Sequence, residues 1–410
     1  MGLTGSGVRT MSRWRSAKLS RLGSAIFSEV AEWKREARDK GLALIDLGIG
    51  SPDGHPDEAV VRELARAVQD KGNYGYPSSE GSLAFREAVA DWYRYRFGVE
   101  LDPHREITAL MGSQDGLSHL AMAVADPGDT AIVPDPGYPI YSASLVLAGV
   151  EPYPVPLLPE HEYLPDLDSI PASVLDKSAF MLLNYPNNPL SAVADLSFFE
   201  KLVYLGFRHD LLLIHDIAYS ELAFDGFRPP SILEIKDAKR TAVEFHSLSK
   251  SFNMAGCRIA FLTGNEDAVS SLKALKSNID YGVFEAVQQA GIAAMREDIR
   301  SGLGSRNARV YQARRDLLLS ELEKWGWTIP KPKATMFVWA PVPGGATSRS
   351  FARELAVQTG VIVIPGDAFG QYGEGYVRIA LVQNEDKLQE AADRIGHFLS
   401  DYKHLWHPPG

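Results

Sequence analysis

Six short apolar segments alternate with longer segments between residues 106 and 263 of this 410-residue chain. An apolar segment of strand length is typical of a strand buried on both faces, and such strands occur in parallel sheets covered by helices. Most of the intervening segments are long enough for the helical crossover that joins neighbouring parallel strands. The pattern predicts an α/β fold with a mainly parallel sheet, whose strands lie at residues 106–111, 130–134, 180–184, 211–215, 243–246 and 259–263.

The remainder of the chain has a different character. A helical stretch at 284–325 precedes shorter apolar segments and two further helix-length stretches, a mixture typical of an α+β domain. Near the other end, an amphipathic helix at 24–40 and a short strand at 43–47 precede the turn Gly48-Ile49-Gly50. In the C-terminal part we predict strands at 337–339, 361–364 and 376–380 and helices at 348–358 and 384–401.

A chain of this length can form two domains, and we predict a large one on the parallel sheet and a small one from both chain ends. Residues 1–22 hold five basic residues and no acidic residue. They form a disordered leader, possess an alternative start at Met11, or act as an organelle transit peptide. The predicted segments are the leader at 1–22, small-domain parts at 23–50 and 301–402, the large domain at 51–300 and a tail at 403–410.

The composition excludes several functional classes. The single cysteine, Cys257, excludes an intramolecular disulfide and a thiolate zinc cluster, and it suits a reducing compartment. The net charge of −10 and the lack of a basic stripe argue against nucleic-acid binding. The chain has no run of 18 apolar residues, so a membrane-spanning helix is not expected. We expect a cytoplasmic protein without a metal site.

Lys250 follows the predicted strand at 243–246 and is surrounded by small hydroxyl residues. A lysine at the end of a buried strand is partly desolvated, which lowers its pKa and makes it a nucleophile toward aldehydes. Ser247, Ser249 and Arg258 lie close in sequence and could hold a phosphate dianion. An aldehyde that carries a phosphate is pyridoxal 5′-phosphate (PLP). The short segment alone is more typical of a surface loop with a solvated lysine. The residues at the other strand ends are therefore needed to choose between a loop lysine and a PLP-binding lysine.

Polar residues also follow the first two predicted strands, at the edge where parallel sheets bind ligands. Ser113 and Gln114 lie in a glycine-rich turn that opens a helix. Such a turn is either a phosphate site or only a helix cap. Tyr138 follows the next strand and either stacks on a flat ring or is a buried loop aromatic.

The next two strand ends carry Asn188 and Asp216. Asn188 could donate its amide N–H to a phenolate oxygen. Asp216 requires a cation or hydrogen-bond donors, because a strand delivers it into an apolar environment. A protonated pyridine nitrogen would be such a cation, whereas a helix N-cap is the alternative. Tyr219, three residues later, could reach a ring hydroxyl.

Taken together, these segments resemble the class I/II group of fold-type I PLP-dependent aminotransferases over residues 24–400. The segment Ser247-Leu248-Ser249-Lys250, with Arg258, is similar to the family's motif around its Schiff-base lysine. The resemblance implies a large PLP-binding domain with a seven-stranded, mainly parallel sheet. It implies ping-pong transfer of an amino group from an amino acid to a 2-oxo acid. One departure is Leu190-Ser191, where the family usually has Thr-Gly after Asn-Asn-Pro.

The resemblance also implies roles for single residues. Lys250 binds the cofactor and is the catalytic base, Asp216 pairs with the pyridine nitrogen, and Tyr219 and Asn188 bond the ring oxygen. Tyr138 stacks on the ring. The phosphate is held by Ser113, Gln114, Ser247, Ser249 and Arg258. The substrate is bound by Ile49, Gly50, Asn188 and Arg378. Tyr76 reaches the neighbouring subunit's phosphate, which implies a homodimer with shared active sites.

Within the family, segments such as Gly-Ile-Gly-Ser-Pro-Asp and Asn-Tyr-Gly-Tyr-Pro look like the LL-diaminopimelate aminotransferase branch. Related branches use alanine, aspartate, methionine or aromatic amino acids. Two alternatives from other classes remain: a PLP-dependent β-lyase, and a sensing domain of a transcription regulator. The second requires a DNA-binding module of roughly 60–80 residues, whereas about 40 residues precede the strand at Ile45.

Overall fold

A computed structural model describes residues 14, 16–22, 25–302 and 306–401. Most of the predicted leader at 1–22 and all residues after 401, including the predicted tail at 403–410, lie outside these ranges. The strands are β1 Ile45–Asp46, β2 Ile107–Leu110, β3 Thr130–Asp135, β4 Glu151–Pro156, β5 Ser178–Asn184, β6 Leu212–Asp216, β7 Ala242–Ser247, β8 Ala260–Gly264, β9 Phe337–Pro341, β10 Val361–Ile362, β11 Ile364–Pro365 and β12 Tyr376–Ala380. The helices are α1 Lys18–Arg21, α2 Ala25–Asp39, α3 Glu58–Ala67, α4 Leu83–Phe97, α5 Ser113–Val124, α6 Pro139–Ala148, α7 Ala172–Leu175, α8 Leu196–His209, α9 Leu248–Ser251, α10 Glu266–Lys276, α11 Glu285–Ser301, α12 Arg306–Lys324, α13 Ser348–Thr359 and α14 Glu385–Asp401.

The central sheet has seven strands in the order β2-β8-β7-β6-β5-β3-β4. All neighbours are parallel except β8, which runs antiparallel to both β7 and β2. The predicted α/β fold with a mainly parallel sheet is confirmed. The strand β4 has no counterpart among the six apolar segments, because Pro152, Pro154 and Pro156 interrupt it. Prolines are tolerated there because β4 is an edge strand.

Apolar side chains cover both faces of the central sheet. One cluster packs β2, β6 and neighbouring strands against α4, α8 and α11. The cluster on the other face packs the sheet against α5, α6 and α10. Such two-sided burial explains the nearly continuous apolar strands. As a result, the carboxyl ends of β5, β6 and β7 lie side by side, with Asn184 opposite Asp216.

A separate apolar cluster joins α2 and β1 to the C-terminal part of the chain. There β11, β12 and β9 form an antiparallel sheet, and β1 pairs with β10 in parallel. The prediction of a single strand at 361–364 is wrong: the strand is interrupted at Val363, and β10 and β11 pair with different partners. This cluster also contains Ala218, Tyr219, Leu222 and Phe224. The limits given above for the two domains remain a prediction.

In the part of the chain described here, no helix is both long and apolar enough to cross a membrane.

Candidate active site

A cavity of about 390 Å³ lies at the carboxyl edge of the central sheet, between that sheet and the C-terminal part of the chain. Thirteen of the fourteen predicted site residues line it. They are Ile49, Gly50, Ser113, Gln114, Tyr138, Asn188, Asp216, Tyr219, Ser247, Ser249, Lys250, Arg258 and Arg378. The structure therefore brings together residues separated by as much as 329 positions in the sequence.

Lys250 lies on the short helix α9, which begins directly after β7. The Ser247 hydroxyl caps this helix and accepts a backbone N–H two residues on, at 3.2 Å. The Lys250 Nζ donates to the Gly50 carbonyl oxygen at 2.6 Å. Burial lowers the pKa of Lys250 to about 8, and the positive charges of Arg378 and Arg258 contribute to the shift. An amine with such a pKa is partly unprotonated near neutral pH and can act as nucleophile or base.

Asp216 is the last residue of β6 and is buried. Its carboxylate accepts a hydrogen bond from the Tyr141 hydroxyl at 2.9 Å and one from the Ala218 N–H at 3.2 Å. Burial raises the pKa of Asp216, and these hydrogen bonds oppose the rise. Among the described residues, no basic side chain forms an ion pair with this carboxylate. A protonated ring nitrogen would supply the missing cation.

Asn188 and Tyr219 lie beside this carboxylate. The Asn188 N–H donates to the Asn184 side-chain oxygen at 2.7 Å, which fixes the loop after β5. Burial raises the pKa of Tyr219 well above its usual range, and a side-chain hydrogen bond with Asn188 opposes that rise. Tyr219 therefore keeps its proton near neutral pH, and its hydroxyl can donate to an anionic oxygen.

The start of α5 faces Arg258. Gly112 precedes the helix with a φ of +89°, and a Cβ at this position would lie 2.3 Å from the Arg258 Nη2. The guanidinium therefore crosses directly over the first turn of α5. The first N–H groups of a helix have no intrahelical partner, so those of Ser113 and Gln114, together with Arg258, could bind an anion. Tyr138 borders this site, and its hydroxyl donates to the Gln114 side-chain oxygen at 3.3 Å.

Arg378 lies in the middle of β12 and is buried. Its Nη1 donates to the Asn188 side-chain oxygen at 2.9 Å, and its Nη2 donates to the Gly48 carbonyl at 2.8 Å. The guanidinium also stacks on the rings of Phe337 and Phe369, with centroids 4.3 and 4.8 Å away. Burial lowers the pKa of Arg378 to about 10.

Two features leave Arg378 incompletely satisfied. Its Nε is buried without a hydrogen-bond partner. In addition, no carboxylate of the described residues forms an ion pair with the guanidinium, whose hydrogen-bonding partners are neutral oxygens. A buried cation without a counter-ion is costly, and a bound carboxylate would compensate it through two parallel hydrogen bonds.

Tyr76 is the one predicted site residue outside the cavity. Its side chain is 92% exposed, and its ring packs on Tyr281 with centroids 5.5 Å apart. Within a single chain, the structure does not bring it near Lys250.

The cavity also holds residues that the sequence did not indicate. Tyr141 contacts Asp216, and Asn184 donates to the Asp216 main-chain oxygen at 2.7 Å. Phe337 and Phe369 flank Arg378. Tyr141 could have been suspected, because it lies one helical turn after Tyr138 at the start of α6; the phenylalanines are indistinguishable from other core residues.

The side chains of the cavity fit PLP. A helix N-terminus with Arg258 and two serines suits a phosphate dianion, and Asp216, which lacks a cation, suits a protonated pyridine nitrogen. Tyr219 and Asn188 would face the ring oxygen. Lys250, whose pKa is lowered, suits the aldehyde.

Comparisons with known proteins agree with this assignment. Residues 43–395 match the family "Aminotransferase class I and II". The LL-diaminopimelate aminotransferase of Moorella thermoacetica is 46% identical over 382 residues, which are 93% of this chain and 97% of that protein. The apo structure of BacF from Bacillus subtilis is 37% identical with a TM-score of 0.89 and covers 94% of this chain and 98% of its own. An aminotransferase structure from Staphylococcus aureus is 32% identical with a TM-score of 0.86 and covers 96% of this chain and 100% of its own. Because these matches span nearly the whole sequence, the chain belongs to the class I and II aminotransferases, which are PLP-dependent enzymes.

Proposed function

We propose that this aminotransferase moves the amino group of LL-diaminopimelate to 2-oxoglutarate. The observation that carries the reaction type is the buried Arg378, which faces the same cavity as Lys250 and has no carboxylate partner among the described residues. The substrate is supported by similarity. Eight relatives named LL-diaminopimelate aminotransferase, two of them with the number 2, are 41–46% identical to this chain over at least 92% of its length.

We assign cofactor binding to the residues described above. Ser113, Gln114, Ser247, Ser249 and Arg258 would hold the phosphate, and Tyr138 would lie against the ring. Asp216 would keep the ring nitrogen protonated, while Tyr219 and Asn188 would donate to the ring oxygen. When bound, PLP supplies an electron-withdrawing ring that stabilises the carbanion of an amino acid that has lost its α-proton.

Lys250 has two tasks in this assignment. Its amine would hold the cofactor's aldehyde, and, when an amino acid takes its place there, the free amine would accept the substrate's α-proton at Nζ. The lowered pKa of Lys250, about 8, keeps part of the amine unprotonated near neutral pH. The protonated Nζ could then return this proton to a neighbouring carbon, so the proton transfer itself would need no solvent, whereas release of the 2-oxo acid consumes one water molecule.

Arg378 would orient the substrate. Its guanidinium can bind the α-carboxylate bidentately, and the turn with Ile49 and Gly50 lies beside it. Ile49 is 52% exposed, so it can cover a bound substrate at the mouth of the cavity. With the carboxylate held there, the α-carbon would lie in the same cavity as Lys250, whose Nζ donates to the carbonyl of the neighbouring Gly50 at 2.6 Å.

The test follows the PLP absorbance of the purified enzyme during titration with single amino acids. LL-diaminopimelate and glutamate should each convert the pyridoxal form to the pyridoxamine form, and Lys250→Ala should abolish the conversion. Alanine, aspartate, methionine and an aromatic amino acid form the comparison panel. Conversion by a panel member but not by LL-diaminopimelate contradicts the substrate. Release of pyruvate and ammonia without conversion contradicts transamination and identifies a β-lyase.

We further propose a homodimer in which Tyr76 completes the partner's site. An exposed aromatic cluster surrounds it: Tyr74 and Phe284 pack with centroids 5.5 Å apart, as do Tyr76 and Tyr281. Their exposed fractions range from 36% to 92%, and such a group of exposed rings is typical of an interaction surface.

Mixed dimers test the shared site. Tyr76→Ala and Lys250→Ala should each be impaired, and a refolded equal mixture should recover activity because hybrid dimers contain one intact site. Random pairing makes half of the dimers hybrid, so about one quarter of the sites are restored. A mixture no more active than the Tyr76→Ala protein would contradict the shared site.

We place the reaction in the cytoplasm. The single cysteine, Cys257, suits a reducing compartment. A fluorescent fusion carrying the complete chain tests this placement, and import into an organelle would instead identify residues 1–22 as a transit peptide.

A further inference from the structure

We propose that the ion pair between Lys34 and Asp46 is a positioning device for Arg378 and thereby sets the affinity for the substrate's α-carboxylate. The proposal rests on the role proposed above for Arg378. Neither Lys34 nor Asp46 was among the predicted site residues, although Lys34 lines the active-site cavity.

The pair connects helix α2 to the start of the turn at Gly48. The Lys34 Nζ lies 2.6 Å from the Asp46 Oδ2, and each side chain is 23% exposed. The other carboxylate oxygen, Oδ1, accepts the Gly48 N–H at 2.9 Å. The Asp46 carboxylate therefore contacts both helix α2, which lines the cavity, and the turn at Gly48, which also lines it.

The same turn also contacts Arg378 directly. The Gly48 carbonyl accepts the hydrogen bond from the Arg378 Nη2 at 2.8 Å, while Asn188 accepts from Nη1. Two acceptors on different segments thus set the plane of the guanidinium. Gly48 cannot easily shift toward the C-terminal sheet, because even a Cβ there would lie 2.9 Å from the Ile364 Cδ1. The Asp46 Oδ1, which accepts the Gly48 N–H, lies 3.3 Å from the same Cβ position, so Asp46 restrains the turn whose carbonyl Arg378 needs.

The Lys34 pair differs from the two ion pairs that α2 forms within itself and with Lys40, the residue after its end. Arg35 and Glu32 lie 3.8 Å apart and are 65% and 67% exposed, and Lys40 and Glu36 lie 3.5 Å apart. Exposed pairs of that kind contribute little. The Lys34 pair is shorter and more buried than these two pairs, and its Asp46 carboxylate also bonds the Gly48 N–H. Loss of this pair should therefore weaken substrate binding.

The experiment compares Lys34→Met, Asp46→Asn and Asp46→Ala in the PLP-loaded enzyme. Lys34→Met and Asp46→Asn should each raise the KM for glutamate about three- to tenfold and leave kcat within about twofold, as expected for loss of a partly buried ion pair. Asp46→Ala should have the largest effect, because asparagine can still accept the Gly48 N–H and alanine cannot. Arg35→Met is the matched control on the same helix and should leave the KM unchanged.

Two further measurements separate positioning from simple stabilisation. The Kd of α-methylglutamate, which has no α-proton to lose, should rise in parallel with the KM. The double variant Lys34→Met/Asp46→Asn should bind no worse than either single variant, since both remove one interaction. An unchanged KM, a lowered Tm without a change in Kd, or additive effects would each overturn the proposal.

An Arg378→Lys variant shows whether a negative result contradicts the proposed role of Arg378 or only the positioning role of the ion pair. If its KM is normal, the proposed role of Arg378 is wrong. If its KM rises while Lys34→Met binds normally, only the positioning role of the ion pair is wrong.

Discussion

Replacing Lys250 by methionine should stabilise the cofactor-free protein at neutral pH, although it removes the reactive amine. The pKa of Lys250 falls from 10.5 to about 8 on folding, chiefly through burial. This lowering of the pKa means that the charged lysine destabilises the native state by about 3 kcal/mol at pH 7. Methionine also loses the hydrogen bond to the Gly50 carbonyl, a cost of about 1 kcal/mol. The net gain should be about 2 kcal/mol.

The gain should depend on pH in a defined window. Below pH 8 the lysine is charged in both states, so the destabilisation is fully present. Between pH 8 and 10.5 the native lysine loses its proton while the unfolded one keeps it, so the wild-type protein becomes relatively more stable and the advantage of methionine disappears. With an unfolding entropy of about 2.1 cal/mol/K per residue, 2 kcal/mol corresponds to a Tm difference of about 2 °C.

Thermal unfolding of the cofactor-free proteins at pH 7, 8, 9 and 10 measures this difference. Lys276→Met is the matched control, because Lys276 is fully buried but paired with Asp280 at 2.8 Å and Asp115 at 3.5 Å, and its loss should lower the Tm. A Tm of Lys250→Met below that of the wild type at pH 7, or a difference that does not vary with pH, would refute the reasoning.

Three other outcomes are expected. Gly112→Ala should weaken PLP binding by about 10- to 100-fold, because the new Cβ displaces the Arg258 guanidinium at a residue with positive φ; fluorescence titration of the cofactor-free protein measures this. Arg378→Lys should raise the KM for amino acids about 10- to 100-fold, because an ammonium cannot form the bidentate pair; steady-state kinetics with glutamate checks this. The kcat should fall about tenfold per pH unit below about pH 8, as the Lys250 amine becomes protonated; a kcat that is flat from pH 6 to 8 would contradict this role.

Most of the cavity could be predicted from the sequence because of one property of parallel sheets. Their strands all end at the same edge, so a polar residue after each apolar segment must lie near the others. Asp216 at the end of β6 and Lys250 shortly after β7 are examples, and the adjacent strands place both in the cavity. Arg378 could be proposed only by resemblance, since an arginine in a strand carries no signal of its own.

Other features depend on tertiary packing. The edge strand β4 is hidden by its prolines, and only pairing with β3 makes it a strand. The restraint on Arg258 arises where its guanidinium crosses Gly112, 146 positions earlier in the chain. The contacts of Lys34 with Asp46, and of Gly48 with Arg378, likewise join separate elements.

The sequence by itself thus determined the α/β fold, the family and the chemical groups at the strand ends, because apolar periodicity and local motifs are properties of neighbouring residues. Only the tertiary structure decided which cation lacks a counter-ion, how far the pKa of Lys250 falls and what holds the turn at Gly48. These properties depend on burial and on distances between segments far apart in the chain, and no local pattern encodes them.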